Sequence, residues 1–135
     1  MKIKLDAGAI MPTRAHERDA GLDLYTSKDV KLWPESVTMV GTGVHVQIPD
    51  DCVGLITSKS GLMAKGITCR GTIDAGYTGE IKAVLYNHTQ DLIQLKAGQK
   101  ITQLVIIPCK FPALEVVDDL EETERGGGGF GSTGK

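Results

Sequence analysis

Apolar and polar positions alternate with a period of two over several short stretches of the chain. Val44, Val46 and Ile48 form one such set, and Ile81, Ala83 and Leu85 another. Successive side chains of a strand point to opposite faces, so this spacing predicts half-buried strands. Short apolar runs at Val37 to Val40, Val53 to Thr57 and Ile101 to Ile107 predict three more. Turn formers separate them at Trp33-Pro34-Glu35-Ser36, Pro49-Asp50-Asp51, Asp74-Ala75-Gly76 and Lys96-Ala97-Gly98-Gln99. The pattern predicts an all-β sandwich or barrel. Only Ser60 to Lys65 suits a helical turn or two, with Ser60 as its cap and Gly66 as its stop.

Composition narrows this picture. With 135 residues the chain is sized for one core. Aromatic residues are only 4%, so the core must be aliphatic and β-branched, and aromatic stacking platforms are disfavoured. The net charge of -2 gives no chain-wide attraction to nucleic-acid phosphates or anionic lipid, so any phosphate site has to be local. Cys52, Cys69 and Cys109 show no CxxC pairing and read as reduced, mostly buried thiols. The first residues, MKIKLDAGAIMP, lack the apolar run of a signal peptide, and no 18-residue apolar stretch occurs. The expectation is a soluble cytoplasmic protein with no membrane or direct nucleic-acid partner.

Several residues invite a chemical reading beside a plain one. Asp74 follows a predicted strand and opens a glycine turn; it serves either to bond its own backbone or to hold a water it can deprotonate. Asp23 lies between Leu22 and Leu24 and so points away from their face, an ordinary strand position that also offers an oxygen to a hard cation such as Mg²⁺. Thr57-Ser58-Lys59-Ser60-Gly61 gathers hydroxyls, a cation and a glycine, and is either a polar turn or an anion site. It is no Walker A loop, since GxxxxGK[ST] is absent. His16, His45 and His88 lack metal-ligand spacing, and no GxSxG supports covalent catalysis. After the acidic run Asp118 to Glu124, Arg125 is followed by four glycines, Phe130, Gly131, Ser132 and Thr133. Glycine backbone amides, hydroxyls, a forked cation and one ring suit a nucleotide lid as well as a disordered end.

Taken in order, these segments resemble the five motifs of the homotrimeric dUTP diphosphatases (dUTPases). Motif 1 is Ala20-Gly21-Leu22-Asp23-Leu24, and motif 2 is Lys59-Ser60-Gly61-Leu62. Motif 3 is Gly71-Thr72-Ile73-Asp74-Ala75-Gly76-Tyr77 with Gly79-Glu80 following, and motif 4 is Gly98-Gln99-Lys100-Ile101-Thr102-Gln103-Leu104. Motif 5 runs from Arg125 to Gly134. The resemblance implies a jelly-roll-like β-barrel or sandwich over residues 1–117, and an acidic linker with a Gly-rich lid over 118–135. It also implies a trimer, Mg²⁺ as cofactor, and hydrolysis of dUTP to dUMP and diphosphate. That reaction would limit uracil incorporation into DNA and supply dUMP for dTMP synthesis.

The same resemblance assigns roles. Asp74 is implied as the general base for water attack on the α-phosphorus, and Asp23 as the holder of a metal-bound water. Lys59, Ser60, Gly61 and Gln103 match phosphate-side contacts, and Tyr77 the residue under the deoxyribose. Uracil would be read mainly by the backbone from Thr68 to Asp74, including Thr72 and Ile73. Phe130 would stack on the base, while Arg125, Gly131, Ser132 and Thr133 would close over the substrate. Lys59 stands where many members have Arg, exchanging a two-pronged donor for a point charge; Lys100 for Arg in motif 4 is expected to matter less, and Thr68 stands where many have Asn. A dCTP deaminase would need a carboxylate where this chain has Val84. A regulatory binding protein on the same fold is the other alternative.

Overall fold

The computed structural model describes residues 1–129, and Phe130, Gly131, Ser132 and Thr133 lie outside the described residues. The strands are β1 (Lys2–Leu5), β2 (Gly21–Tyr25), β3 (Val30–Leu32), β4 (Ser36–Gly41), β5 (Val44–Gln47), β6 (Cys52–Ser58), β7 (Ile67–Ile73), β8 (Lys82–Asn87), β9 (Ile93–Leu95) and β10 (Lys100–Pro108). Helix α1 (Ser60–Met63) is one turn long. A curled six-stranded antiparallel sheet has the order β2-β10-β6-β7-β8-β4, joined by the pairs β1-β5 and β3-β9. The result is the jelly-roll architecture of an all-β protein. No helix among the described residues is long and apolar enough to cross a membrane.

All five strands predicted from alternation and from short apolar runs form, and the four turn signals each close a turn. Cys52 N–H donates to the Pro49 carbonyl at 3.0 Å, Tyr77 N–H to Asp74 at 3.0 Å and Gln99 N–H to Lys96 at 3.0 Å. Ser36 Oγ donates to the Trp33 carbonyl at 2.8 Å, next to Glu35 in a left-handed conformation at φ 47°. The helix starts differently from the prediction: its N-cap is Lys59 with no side-chain cap bond, and Ser60 is the first helical residue. Gly66, at φ +76°, does stop the segment; a Cβ there would meet Thr89 Cγ2 at 2.6 Å. The thiols also differ, for Cys69 is buried while Cys52 and Cys109 are half-buried.

The core is aliphatic, with Leu24, Leu32, Val44, Ile81, Ala83 and Ile101 fully enclosed. Gly54 in β6 marks its tightest point. A Cβ there would stand 2.8 Å from Leu104 Cδ1 and 3.1 Å from Ile48 Cδ1. Any Cβ at 54 would force these neighbours to shift. Gly54→Ala should therefore cost about 1–3 kcal/mol of stability through overpacking, measurable as a lower urea midpoint with an unchanged slope.

Candidate functional site

Residues singled out from the sequence gather at two places. At the first, β2, β10 and β6 lie side by side with Asp23 opposite Gln103 and Gln103 opposite Thr57. Paired residues of an antiparallel sheet share a face, so these three side chains form one row on the side away from Leu24. Asp23 is only 3% exposed. Lys59 Nζ donates to one of its oxygens at 2.5 Å and Lys100 Nζ approaches the other at 2.8 Å. Asp23 is thus a buried carboxylate clamped between two ammonium groups, which the plain strand reading did not foresee. Burial works to raise its carboxyl. The hydrogen bonds and charges of Lys100 and Lys59 outweigh it and hold the group below the usual carboxylate range. Lys100 in turn sits above the usual lysine range, chiefly through its hydrogen bond to Asp23.

The rest of this cluster is open. Ser60 and Gly61 are exposed at the start of α1, and nothing lies within 4 Å of where a Gly61 Cβ would be. Gln103 makes one long contact, Nε2 to the Ser58 carbonyl at 3.5 Å. Thr57 Oγ1 is buried without a hydrogen-bond partner among the described residues. With two ammonium groups against one carboxylate, the cluster carries a local excess of positive charge that suits a polyanion.

The second cluster lies at the end of β7. Asp74 is exposed and lines a cavity of about 310 Å³ with Thr72, Ile73, Tyr77, Met39, Glu80 and Lys82. Among the described residues no hydrogen bond engages the Asp74 side chain; the turn is closed by its carbonyl, which accepts from Tyr77 N–H. The carboxylate is therefore free to meet a ligand. Tyr77 Oη donates to the Glu80 carbonyl at 3.0 Å, and a Cβ on Gly79 would collide with the Tyr77 ring. Glycine at 79 is what lets the ring fold over the turn. The following residues are tied to the β4–β5 connection: Ile81 N–H donates to Val44 O at 2.8 Å, and Gly43 N–H donates to Glu80 Oε1 at 2.9 Å.

Other expected residues stand apart. Thr68 lies six residues before Asp74, on β7, its hydroxyl 2.8 Å from His88 Nε2. Arg125 Nε donates to the Gly128 carbonyl at 2.9 Å within its own segment. Val84, half-buried on β8 opposite Met39, offers no carboxylate for deamination. Sequence reasoning passed over Met39 and Lys82 and discounted Lys100; lysine at position 100 becomes informative only once Asp23 is known to be buried beside it.

Register sets the distance between the clusters. Gly54 pairs with Ile73 and Thr57 with Arg70, so Asp74 falls beside Val53 while Lys59 follows the other end of β6. Six residues of strand separate them by roughly 20 Å. A base must come within about 3 Å of the proton it takes. Within one chain the two clusters thus stand at opposite ends of β6.

The dUTPase family model matches residues 7–134. The chain is 46% identical to the deoxyuridine 5'-triphosphate nucleotidohydrolase of Nocardia farcinica, covering 97% of this chain and 82% of that protein. It is 44% identical to the protein of that name from Clostridium kluyveri, covering 97% and 94%. Among solved structures, Staphylococcus bacteriophage 80alpha dUTPase with dUPNHPP superposes with a TM-score of 0.92 at 33% identity, covering 99% and 98%. A mutant dUTPase of phage phi11 of S. aureus, described with a structural Mg(II) ion, gives a TM-score of 0.81 at 31% identity, covering 90% and 98%.

Breaking the clamp has a pH-dependent cost. Because the folded carboxyl of Asp23 is lowered, its stabilisation is present above the ordinary carboxylate value of 3.8 and is lost as pH falls through the lower folded value. Asp23→Asn should be less stable than the parent by about 2 kcal/mol at pH 7. Urea unfolding at a series of pH values should show that gap shrinking below pH 4.

Proposed function

Because the chain belongs to the dUTPase family, and so is a dUTP-hydrolysing enzyme, we propose that it cleaves dUTP to dUMP and diphosphate by water attack on the α-phosphorus, with Asp74 as general base. The observation that carries this reading is the free Asp74 carboxylate beside the Tyr77 cavity. An unpaired, exposed carboxylate at the cavity wall can accept a proton from water. Tyr77 floors the deoxyribose, and the β7 backbone around Thr72 and Ile73 reads the uracil. A slot whose donors and acceptors match uracil leaves buried polar groups unpaired with cytosine, a penalty of roughly 10⁴ to 10⁵ in specificity. Phe130 extends the base contact, whereas Thr68, engaged with His88, lies away from this cavity.

The triphosphate lies on the other cluster. Lys59, Ser60, Gly61 and Gln103 hold its oxygens, with Lys100 adjacent, and the segment of Arg125, Gly131, Ser132 and Thr133 closes over it. The 20 Å gap between clusters, estimated from strand rise, is bridged if a second copy of the chain supplies one of them. The homotrimer implied by the family resemblance meets this need.

The donor set also bears on metal. Among the described residues no three carboxylate, thiol or imidazole groups gather to cage an ion. Asp23 is a single ionised carboxylate with two of about four lone-pair sites taken by lysines. Mg²⁺ keeps its waters and uses one or two carboxylates with substrate phosphates, so the residues fit an ion carried in with the nucleotide and held by Asp23 through water. When bound, it would neutralise phosphate charge and fix the phosphate chain. Limiting dUTP and supplying dUMP for dTMP synthesis in the cytoplasm is the role this chemistry fits.

The test is diphosphate release with Mg²⁺ from dUTP beside dCTP, dTTP and UTP. The expected result is release from dUTP alone, with Asp74→Asn lowering turnover by on the order of 10² to 10⁴ while dUTP binding persists. Near-normal turnover in Asp74→Asn would remove the base assignment. Shared sites give a second expectation. Asp74→Asn and Lys59→Ala chains, each inactive alone, should recover activity when refolded together, because mixed assemblies contain sites with both clusters intact. No recovery from a mixture that light scattering shows to be assembled would count against sites shared between copies.

A further inference from the structure

His45 on β5 is a half-buried histidine that the mechanism does not use. Its side chain is 19% exposed and both ring nitrogens meet acceptors: Nε2 lies 3.1 Å from Asp6 Oδ2, and Nδ1 lies 3.0 Å from the Thr78 carbonyl oxygen. A neutral imidazole has one N–H and one lone pair, so it can serve only one of two acceptors. Both contacts are hydrogen bonds only when the ring is an imidazolium. Thr78 directly follows Tyr77 in the turn that Asp74 opens, and no other side-chain bond to the Thr78 carbonyl is found among the described residues. The turn is otherwise held farther along, at Glu80 and Ile81.

Resting on the dUTPase reading, we propose that His45 is a positioning residue: as an imidazolium it bridges Asp6 and the Thr78 carbonyl and so fixes the turn that presents Tyr77 and Asp74 to the nucleoside. Loss of the proton breaks one of the two bonds. A carboxylate is a stronger acceptor than a carbonyl, so the remaining N–H stays with Asp6 and the Thr78 oxygen is left facing a lone pair. The turn then loosens where Tyr77 is set.

The groups around the ring support this polarity. Asp6 favours the charged ring, first by its hydrogen bond, and the Thr78 carbonyl adds to it; burial and the Lys4 charge oppose them, and the ring is held above the ordinary imidazole value. On β1, Lys4 lies opposite His45, its Nζ 3.9 Å from Asp6 Oδ1, and Lys2 lines the same groove. On the turn, Glu80 is committed to Gly43 N–H. A raised value means that the bridge is complete below pH 6.5 and is lost as pH rises through the folded value.

The experiment follows the His45 ring by NMR titration and the Tyr77 and Ile81 amides by hydrogen exchange in the nucleotide-free protein, then measures KM and kcat for dUTP over the same pH range. The expected results are a His45 titration above the ordinary imidazole value, amide protection lost in step with it, and a KM that rises on the order of tenfold while kcat changes less. His45→Asn places an amide N–H where Nδ1 stood and cannot titrate; it should keep the low KM and flatten its pH dependence. His45→Ala should show the high KM at every pH. A His45 that titrates at or below the ordinary value, a wild-type KM independent of pH, or an Asn variant that keeps the wild-type profile would each overturn the proposal. If dUTP is not a substrate at all, ring titration and amide exchange still decide the bridge on their own.

Discussion

Strand β6 and its two neighbours set the geometry on which everything else depends. Pairing with β10 on one side and β7 on the other fixes the register of both, and a slip of one residue would send each inward side chain outward. That register puts Gln103 beside Asp23 and Thr57 at one end, and sets Asp74 beside Val53 at the other. At Gly54 the core presses close on this strand, with Leu104, Ile48 and Ile73 all within 3.2 Å of where a Cβ would stand. The seam therefore carries one polar cluster at each end, about six residues of strand apart.

Much of the fold was legible because strand periodicity and turn chemistry are local properties. The alternation of Val44, Val46 and Ile48 needs no partner to be seen, and Asp74-Ala75-Gly76 carries its own turn signal. Short strands were harder. Val30–Leu32 and Ile93–Leu95 have three residues each, too few to show a period, and they exist because they pair with each other across the fold. The start of α1 was misread for a similar reason. Ser60 looks like a cap by residue type, yet β6 runs on to Ser58 and leaves Lys59 in extended backbone as the residue before the first turn.

The site was legible as a set of motifs and not as an arrangement. Nothing in Gly21-Leu22-Asp23-Leu24 says that the carboxylate will be enclosed, because the enclosure comes from lysines 36 and 77 residues away, at Lys59 and Lys100. Those lysines looked like weakened arginines when judged alone. In place they act together, each ammonium taking one oxygen of Asp23 where a single guanidinium would have used a fork. The difference matters because two separate point charges can leave independently.

A protein of net charge -2 that handles a polyanion needs its positive field concentrated and its negative charges placed where they do not repel. The two carboxylates at issue satisfy this in opposite ways. Asp23 sits inside the cationic cluster and is neutralised by it, whereas Asp74 stands free at the far end of the seam, beside the cavity lined by Tyr77. Free carboxylates are useful only if the backbone beneath them is held. The turn after Asp74 is short of regular pairing, so its position rests on a few individual bonds to the β4–β5 connection and to His45. Bonds of that kind can be tuned one at a time, which the ladder of β6 cannot.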